Sequence, residues 1–252
     1  MGHQRLRTDS AEPTFDDTDE ERLHRKRQCA LGYRAFGALG WGQLGDGHIS
    51  ARDPEHPGHF WLLAYGVPFD QATVDDLVLV APDGSVAEGD GEINRTAYFI
   101  HMPIHEARPE VVSVAHTHTG YGTPWSANLL PFRAISQEAC SFVHTQSIFD
   151  GQELNVTDYD CGRRIAEAIG ANRLCMLRNH GPLTVGGSVA EAVGFFVMAE
   201  RVAEVHVKAP QAKAISDEAA KAMAEWAESP QVGWESFQYL IRTVVPDADV
   251  VG

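Results

Sequence analysis

Val111-Val112-Ser113-Val114-Ala115-His116-Thr117-His118 is the stretch that decides the fold of this chain. Its apolar run predicts a buried β-strand, and the two histidines close that strand. Side chains alternate between the two faces of a strand, so residues two positions apart share a face. We therefore expect His116 and His118 to point the same way, close enough to bind one ion.

A second apolar run, Cys175-Met176-Leu177-Arg178-Asn179-His180-Gly181, also predicts a strand and ends in a histidine-glycine pair. Three histidines from two strand ends offer three nitrogen ligands and leave one coordination position open. An open position is typical of a catalytic metal site, whereas structural sites are closed by four protein ligands. The sequence therefore predicts a catalytic metal centre made of His116, His118 and His180.

The composition restricts the class of protein. A chain of 252 residues with 44% hydrophobic content allows one large domain, or at most two. Its 20 basic and 35 acidic residues give a net charge of −15, which makes nucleic acid and anionic membranes poor partners. The four cysteines are scattered without a C-x-x-C motif, as expected for a cytoplasmic protein with reduced thiols. We also expect neither a membrane segment nor a secretory signal.

Capping and turn signals predict the organisation of the chain. Residues 1–17 are polar and predict a flexible N-terminal tail, and residues 18–252 predict one domain that ends in helices. Thr18 is the expected cap of the first helix. The expected strands include 48–52, 59–64 and 76–81, and the expected helices include 96–107, 157–170, 214–228 and 231–241. Short strands joined by hairpins, with helices between them, predict an α/β fold: a three-layer α/β/α arrangement around a largely antiparallel sheet.

Three stretches resemble the class II aldolase/adducin family: Gly47-His48-Ile49-Ser50-Ala51-Arg52, Arg108-Pro109-Glu110 with the His116 strand, and Leu177-Arg178-Asn179-His180-Gly181-Pro182-Leu183-Thr184-Val185-Gly186. The resemblance runs from about residue 18 to residue 205. It implies a single α/β/α domain, a homotetramer, and a divalent metal held near a subunit boundary by His116, His118 and His180. Zinc or iron suits three imidazoles, and manganese and cobalt are further options.

The chain departs from the sugar-phosphate aldolases of that family at a decisive position. Those enzymes carry an acid/base glutamate 19 residues before the first histidine, and Ala97 stands there in this chain. An alanine can neither move a proton nor bind a metal. The resemblance places the substrate-binding positions at Gly47, His48, Tyr65, Gly66, Arg95 and Thr96. Only the two glycines are retained, so we expect no sugar phosphate, and we expect Arg95 to hold a carboxylate instead.

Another group must then carry the proton, and the sequence offers several. Tyr121 lies just past the metal strand and Glu138 follows a predicted strand, so both are candidate catalytic residues, with water as a third source. His101 and His105 lie four residues apart on a predicted helix, and we expect them to pack or hydrogen-bond rather than to bind metal. The C-terminal aromatic residues predict core or subunit contacts; they are Trp226, Trp234, Phe237 and Tyr239.

These observations predict a metal-dependent lyase that cleaves a C–C bond in a small oxo- or hydroxy-acid. One alternative is a non-haem iron oxygenase that acts as an oxidative decarboxylase on the same fold, because such enzymes belong to the adducin-like branch that the sequence resembles. A requirement for dioxygen distinguishes the two. The other alternative is a non-enzymatic assembly module like adducin, which has lost the metal site. The three histidines retained in this chain argue against that role.

Overall fold

The computed structural model describes residues 11–252, so residues 1–10 of the predicted tail lie outside the described residues. The first helix, α1, spans Thr18–Ala38. The sequence predicts Thr18 as its cap, but Asp17 takes this place, because its carboxylate accepts hydrogen bonds from the backbone N–H groups of Asp19 and Glu20. A side chain that satisfies the free N–H groups of the first turn stabilises the start of a helix.

Eight strands form one open sheet. They are β1 (Gly47–Arg52), β2 (Phe60–Leu63), β3 (Leu77–Val80), β4 (Val86–Glu88), β5 (Ser113–Thr117), β6 (Gln146–Phe149), β7 (Leu174–Leu177) and β8 (Gly181–Gly186). Their spatial order is β4-β3-β2-β1-β5-β8-β7-β6. Every neighbouring pair is antiparallel except β6 and β7. The prediction of a largely antiparallel sheet is therefore confirmed.

Helices cover both faces of this sheet. Besides α1, the described part of the chain contains α2 (Arg95–Ala107), α3 (Gly122–Ser126), α4 (Tyr159–Ile169), α5 (Val189–Lys208), α6 (Asp217–Ala227) and α7 (Pro230–Val244). Helices α1, α5 and α7 pack together on one face, and α2 and α4 pack together on the other. This arrangement confirms the three-layer α/β/α prediction. Between residues 11 and 252, no helix has both the length and the apolar run that crossing a membrane requires.

Strand alternation explains why both faces are covered. Trp61 and Leu79 pack with α1, whereas Phe60, Leu62 and Val80 pack with α2. All five are at most 2% exposed. Each such side chain contributes about 1.5–3 kcal/mol when it leaves water. The central strands therefore form a rigid platform, and β5 lies near its middle, between β1 and β8.

Candidate metal centre

The three predicted histidines come together where β5 ends. Their candidate ligand nitrogens, one from each of His116, His118 and His180, all lie within 4.8 Å of one another. The ring centres are 4.7 Å apart for His116 and His180, and 4.8 Å apart for His118 and His180. His116 is the penultimate residue of β5 and is buried, whereas His118 lies just beyond the strand and is exposed. We call these three residues the histidine triad.

His180 reaches the triad from a turn and not, as the sequence predicts, from a strand end. Strand β7 ends at Leu177, and β8 begins at Gly181. Between them Asn179 has a φ of +52°, a left-handed conformation that asparagine tolerates better than most residues. Gly181 follows with a φ of +149°, which also favours glycine. This tight turn points the His180 ring back towards the end of β5.

Each ring of the triad is held by a second contact, which leaves the other nitrogen available. The Nδ1 atom of His116 lies 2.8 Å from the carbonyl oxygen of Pro182. The Nδ1 atom of His118 lies 3.4 Å from a carboxylate oxygen of Asp46, and His180 hydrogen-bonds to the backbone of Leu154. Contacts of this kind fix ring orientation and tautomer in metal-binding histidines.

The surroundings of His116 and His180 favour their unprotonated rings. Burial, with His180 next to it, lowers the pKa of His116 well below its usual value. Burial and the neighbouring His118 lower the pKa of His180 to about 4. Only a neutral imidazole has a lone pair to give to a metal. Three converging imidazoles with oriented rings are therefore a donor set that fits a divalent transition metal.

The loop that follows the triad strand is held by a residue that the sequence analysis missed. Glu200 of α5 is 7% exposed. Its carboxylate accepts hydrogen bonds from the Thr119 hydroxyl at 2.5 Å and from the backbone N–H groups of Tyr121 at 2.9 Å and Gly122 at 2.6 Å. The hydroxyl of Thr123 donates to the carbonyl of His180 at 3.1 Å. These bonds tie the segment after His118 both to α5 and to the His180 turn.

We expect Glu200 to set the geometry of the triad without contacting a metal. Glu200→Gln keeps the volume but removes the charge and one acceptor, so loop 119–122 should loosen. Metal affinity should fall by about 10- to 100-fold, the usual effect of a lost outer partner. Titration with Co²⁺, whose visible spectrum reports coordination geometry, measures this change.

Glu21→Gln is the control, since Glu21 is a helix glutamate that pairs with Arg25 four residues later and lies on α1, away from loop 119–122. It should leave cobalt affinity and spectrum unchanged. Equal cobalt affinity in the Glu200 variant and the unmodified protein would show that the loop does not position the triad.

A cavity of about 470 Å³ lies beside the triad. Four of the six predicted substrate-binding residues line it: Gly47, His48, Tyr65 and Gly66. Ala97 also lines it, so a methyl group stands where the resemblance expects an acid/base glutamate. Gly47 is needed here, because a Cβ atom would come within 2.4 Å of the Thr117 hydroxyl.

Arg95 and Thr96 contact other parts of the chain. Arg95 donates to the carbonyl of Gly84 at 3.0 Å, and its guanidinium lies 5.7 Å from the centre of the Tyr98 ring. The Thr96 hydroxyl donates to Asn155 at 3.2 Å. Neither residue is among those that line the cavity. The geometry therefore gives no support to their predicted contact with substrate, which stays a prediction.

The side chains of the two candidate catalytic residues, Tyr121 and Glu138, also contact other parts of the chain. The Tyr121 side chain hydrogen-bonds to Glu204 and Lys208. Glu138 lies 3.7 Å from Arg201 and lines a different depression, together with Trp226 and Tyr239. Their catalytic roles remain predictions.

Two helix histidines contribute to a buried polar layer next to the triad. His101 and His105 of α2 are at most 3% exposed. His101 Nε2 lies 2.7 Å from Nδ1 of His48, and His105 Nε2 lies 2.8 Å from the hydroxyl of Ser50. Both contacts bind α2 to β1, in keeping with the prediction of packing and hydrogen bonding.

Comparison with known proteins agrees with this fold. Residues 27–207 match the family described as "Class II Aldolase and Adducin N-terminal domain". The chain belongs to this family. It is 34% identical over 233 residues to the "4-hydroxy-3-prenylphenylpyruvate oxygenase/4-hydroxy-3-prenylbenzoate synthase" of Streptomyces roseochromogenus subsp. oscitans, which covers 90% of this chain and 84% of that one. It is 35% identical to the "Decarboxylase NovR" of Streptomyces niveus, with 90% and 86% covered.

Solved structures show the same architecture. An L-fuculose 1-phosphate aldolase from Glaciozyma antarctica PI12 superposes with a TM-score of 0.85 at 29% sequence identity. The superposition covers 94% of this chain and 96% of that one. The proteins that this chain resembles therefore include one named as an aldolase, one named as an oxygenase and one named as a decarboxylase.

Proposed function

We propose that this protein is a metal-dependent enzyme that cleaves a C–C bond in a small oxo- or hydroxy-acid. The observation that carries the proposal is the histidine triad, whose rings are oriented by outer contacts beside a cavity of about 470 Å³. His116, His118 and His180 are the proposed ligands, with zinc or iron as the metal and manganese or cobalt as further options.

A divalent metal held by these residues supplies Lewis-acid chemistry, which polarises a carbonyl group and stabilises negative charge on its oxygen. The three histidines contribute neutral nitrogens, so they leave the positive charge of the ion available to the substrate. Three protein ligands also leave room for substrate oxygens at the open side. In the wall of the neighbouring cavity His48 offers a polar ring nitrogen, whereas Ala97 offers no polar side-chain atom.

The cavity wall favours an oxo-acid over a sugar phosphate. Ala97 removes the acid/base group, a loss that costs about 10²- to 10⁴-fold in rate where such a group is needed. The proposed substrate agrees with one relative's name, which refers to a phenylpyruvate, an aromatic oxo-acid. We therefore expect negligible turnover of small sugar phosphates.

The second candidate function is oxidative decarboxylation of the same class of acid. The names of two relatives, an oxygenase and a decarboxylase, favour it. Three imidazoles bind iron as well as zinc, so the ligand set alone does not separate the two reactions.

The test begins with metal analysis of protein purified without chelator or added metal, and we expect about one ion per chain. The protein is then loaded with Zn²⁺ or Fe²⁺ and incubated with aryl and alkyl oxo-acids, with and without dioxygen. Cleavage in both conditions supports the lyase, and cleavage only with Fe²⁺ and dioxygen supports the decarboxylase. A metal-loaded protein that cleaves sugar phosphates efficiently, or that cleaves none of these acids, would contradict the proposal.

We also expect the protein to be a homotetramer. Of the aromatic residues near the C-terminus, Trp234 and Phe237 are buried, whereas Trp226 is 56% exposed and Tyr239 is 60% exposed. The two exposed rings line one depression with Glu138. Contiguous exposed apolar surface often marks protein–protein contacts, and these two neighbouring rings support a subunit contact at this depression. Light scattering at micromolar concentration should give four times the chain mass of 27.6 kDa, and a monomer would contradict this expectation.

A further inference from the structure

His48 lies beside the triad but is not part of it. The antiparallel register of β1 and β5 places His48 directly opposite His116, so both side chains lie on the same face of the sheet. Their ring centres are 5.0 Å apart. His48 is 3% exposed and forms part of the cavity wall. A fourth imidazole therefore lies next to His116 and also lines the cavity.

The contact between His48 and His101 determines which nitrogen of His48 carries the proton. His48 Nδ1 and His101 Nε2 are 2.7 Å apart, so one of them donates to the other. Burial, followed by the neighbouring His101, lowers the pKa of His48 well below its usual value. Burial has the same effect on the pKa of His101. A hydrogen bond between two ring nitrogens needs one lone pair and one N–H group, and both rings are buried, where a charge is costly, so each ring is neutral and carries one N–H group.

The surroundings of His101 favour one of the two arrangements. Its Nδ1 atom is buried and has no hydrogen-bond partner among the described residues. If His48 donated, His101 would carry its proton on Nδ1, as a buried N–H without an acceptor. If His101 donates, Nδ1 is only an unused acceptor, which folded proteins tolerate more often than an unpaired N–H. In that arrangement His48 accepts at Nδ1 and carries its own proton on Nε2.

We propose that His48 donates its Nε2–H to a negatively charged substrate oxygen at the open side of the triad. In the same proposal, His101 is the positioning residue that fixes this tautomer. The inference rests on the proposed function, since it assigns the group that recognises the acid. A neutral donor attached to a central strand suits a carboxylate or an enolate oxygen, because it offers a hydrogen bond without neutralising the charge.

Two other buried or half-buried polar groups of the cavity wall, on Tyr33 and Asn94, are already engaged. The Tyr33 hydroxyl donates to the carbonyl of Ile49 and accepts from its backbone N–H. The side-chain oxygen of Asn94 caps α2. His48 is therefore a buried cavity group whose second nitrogen is left for a ligand.

The tautomer can be measured on the unmodified protein. In zinc-loaded protein labelled with ¹⁵N-histidine, two-bond nitrogen–proton correlations distinguish an Nε2–H imidazole from an Nδ1–H imidazole. The His48 signal is identified by its loss in His48→Gln. We expect the Nε2–H form, and an Nδ1–H form at His48 would overturn the proposal.

Binding of oxalate, a planar dicarboxylate, tests the hydrogen bond itself. His48→Ala should weaken oxalate binding to the zinc-loaded protein by about 10- to 100-fold, as expected for a lost hydrogen bond to a charged group. His48→Gln retains an N–H donor and should recover part of this loss. His101→Phe keeps a ring but loses the N–H donor. The affinity for oxalate should therefore fall, and the ¹⁵N signal of His48 should show mixed tautomers. His144→Ala is the control, because His144 pairs with Glu228 at another surface and should leave oxalate affinity unchanged.

The outcomes separate this inference from the proposed function. Full zinc stoichiometry with unchanged oxalate affinity in both His48 variants would overturn the role of His48 and leave the metal-dependent reaction standing. Failure of the unmodified protein to bind zinc would instead contradict the proposed function on which the inference rests.

Discussion

Replacement of His118 by alanine should abolish stoichiometric metal binding. Loss of an outer partner already costs about 10- to 100-fold in metal affinity, and loss of a direct ligand should cost more. His118 is the best position for this test, because it is exposed and lies beyond the end of β5, so its removal leaves no hole in the core. Zinc bound per chain after gel filtration, together with the dissociation constant from competition with a chelator, measures the effect.

The matched control is His144→Ala, which removes another exposed histidine that has a carboxylate neighbour, Glu228. This variant should retain one zinc ion per chain with unchanged affinity. If His118→Ala also kept one tightly bound ion, the triad would not be the metal site, and the proposed function would lose the observation that carries it.

The common face of His116 and His118 was predictable because strand periodicity is a local property of the sequence. Their approach to His180 is not local, since it depends on the pairing of β5 with β8. The sequence predicts that the three histidines share one site, but it does not predict this strand pairing. The layers of the fold were predictable for a similar reason, because hairpin turns and helix caps are set by short segments of sequence. The apolar side chains on both faces of the sheet must also be buried against helices.

Other parts of the site depend on contacts between distant segments, which one sequence does not reveal. The position of His48 opposite His116 follows from the β1–β5 register. The contact of Arg95 with the carbonyl of Gly84, in the turn between β3 and β4, is likewise not predictable from one sequence, and its contact with substrate stays a prediction. One feature of the sequence does indicate a structural role for Glu200. Glu200 is an acidic residue on the buried face of α5, four positions after Phe196. A buried carboxylate usually accepts hydrogen bonds from neighbouring groups.

The metal-free protein should lose several kcal/mol of stability as the pH falls from 7.5 to 5.5, about 3 kcal/mol of it from His105 and His180. Burial lowers the pKa of His105 to about 3, and burial with His118 lowers that of His180 to about 4. Burial also lowers the pKa values of His48, His101 and His116 well below the usual value. In the unfolded chain each of these residues takes up a proton near pH 6.5. Below that pH the unfolded state binds more protons than the folded state, so the free energy of unfolding falls as pH falls.

The size of the effect follows from this linkage. The stabilisation is complete above about pH 6.5 and is lost as the pH falls towards the folded-state pKa values. At pH 5.5 His105 and His180 each cost about 1.4 kcal/mol, so the two together cost about 3 kcal/mol, and His48, His101 and His116 shift the stability in the same direction. The whole stability of a typical domain is about 5–15 kcal/mol. Urea unfolding of chelator-treated protein at several pH values gives the slope directly.

His105→Gln is the variant that ties this slope to a particular residue. His105 contacts the Ser50 hydroxyl and, at 3.3 Å, the carbonyl of Val111, and a glutamine amide retains hydrogen-bonding capacity without titrating. The variant should therefore be somewhat less stable at pH 7.5. Below pH 6, the slope of its unfolding free energy against pH should be smaller by about 1.4 kcal/mol per pH unit, because one proton fewer is taken up on unfolding. An unchanged slope would mean that His105 takes up its proton in the folded protein as readily as in the unfolded chain. A free energy of unfolding that stays constant from pH 7.5 to pH 5.5 would mean the same for all five histidines, and the buried polar layer beside the triad would then not be neutral.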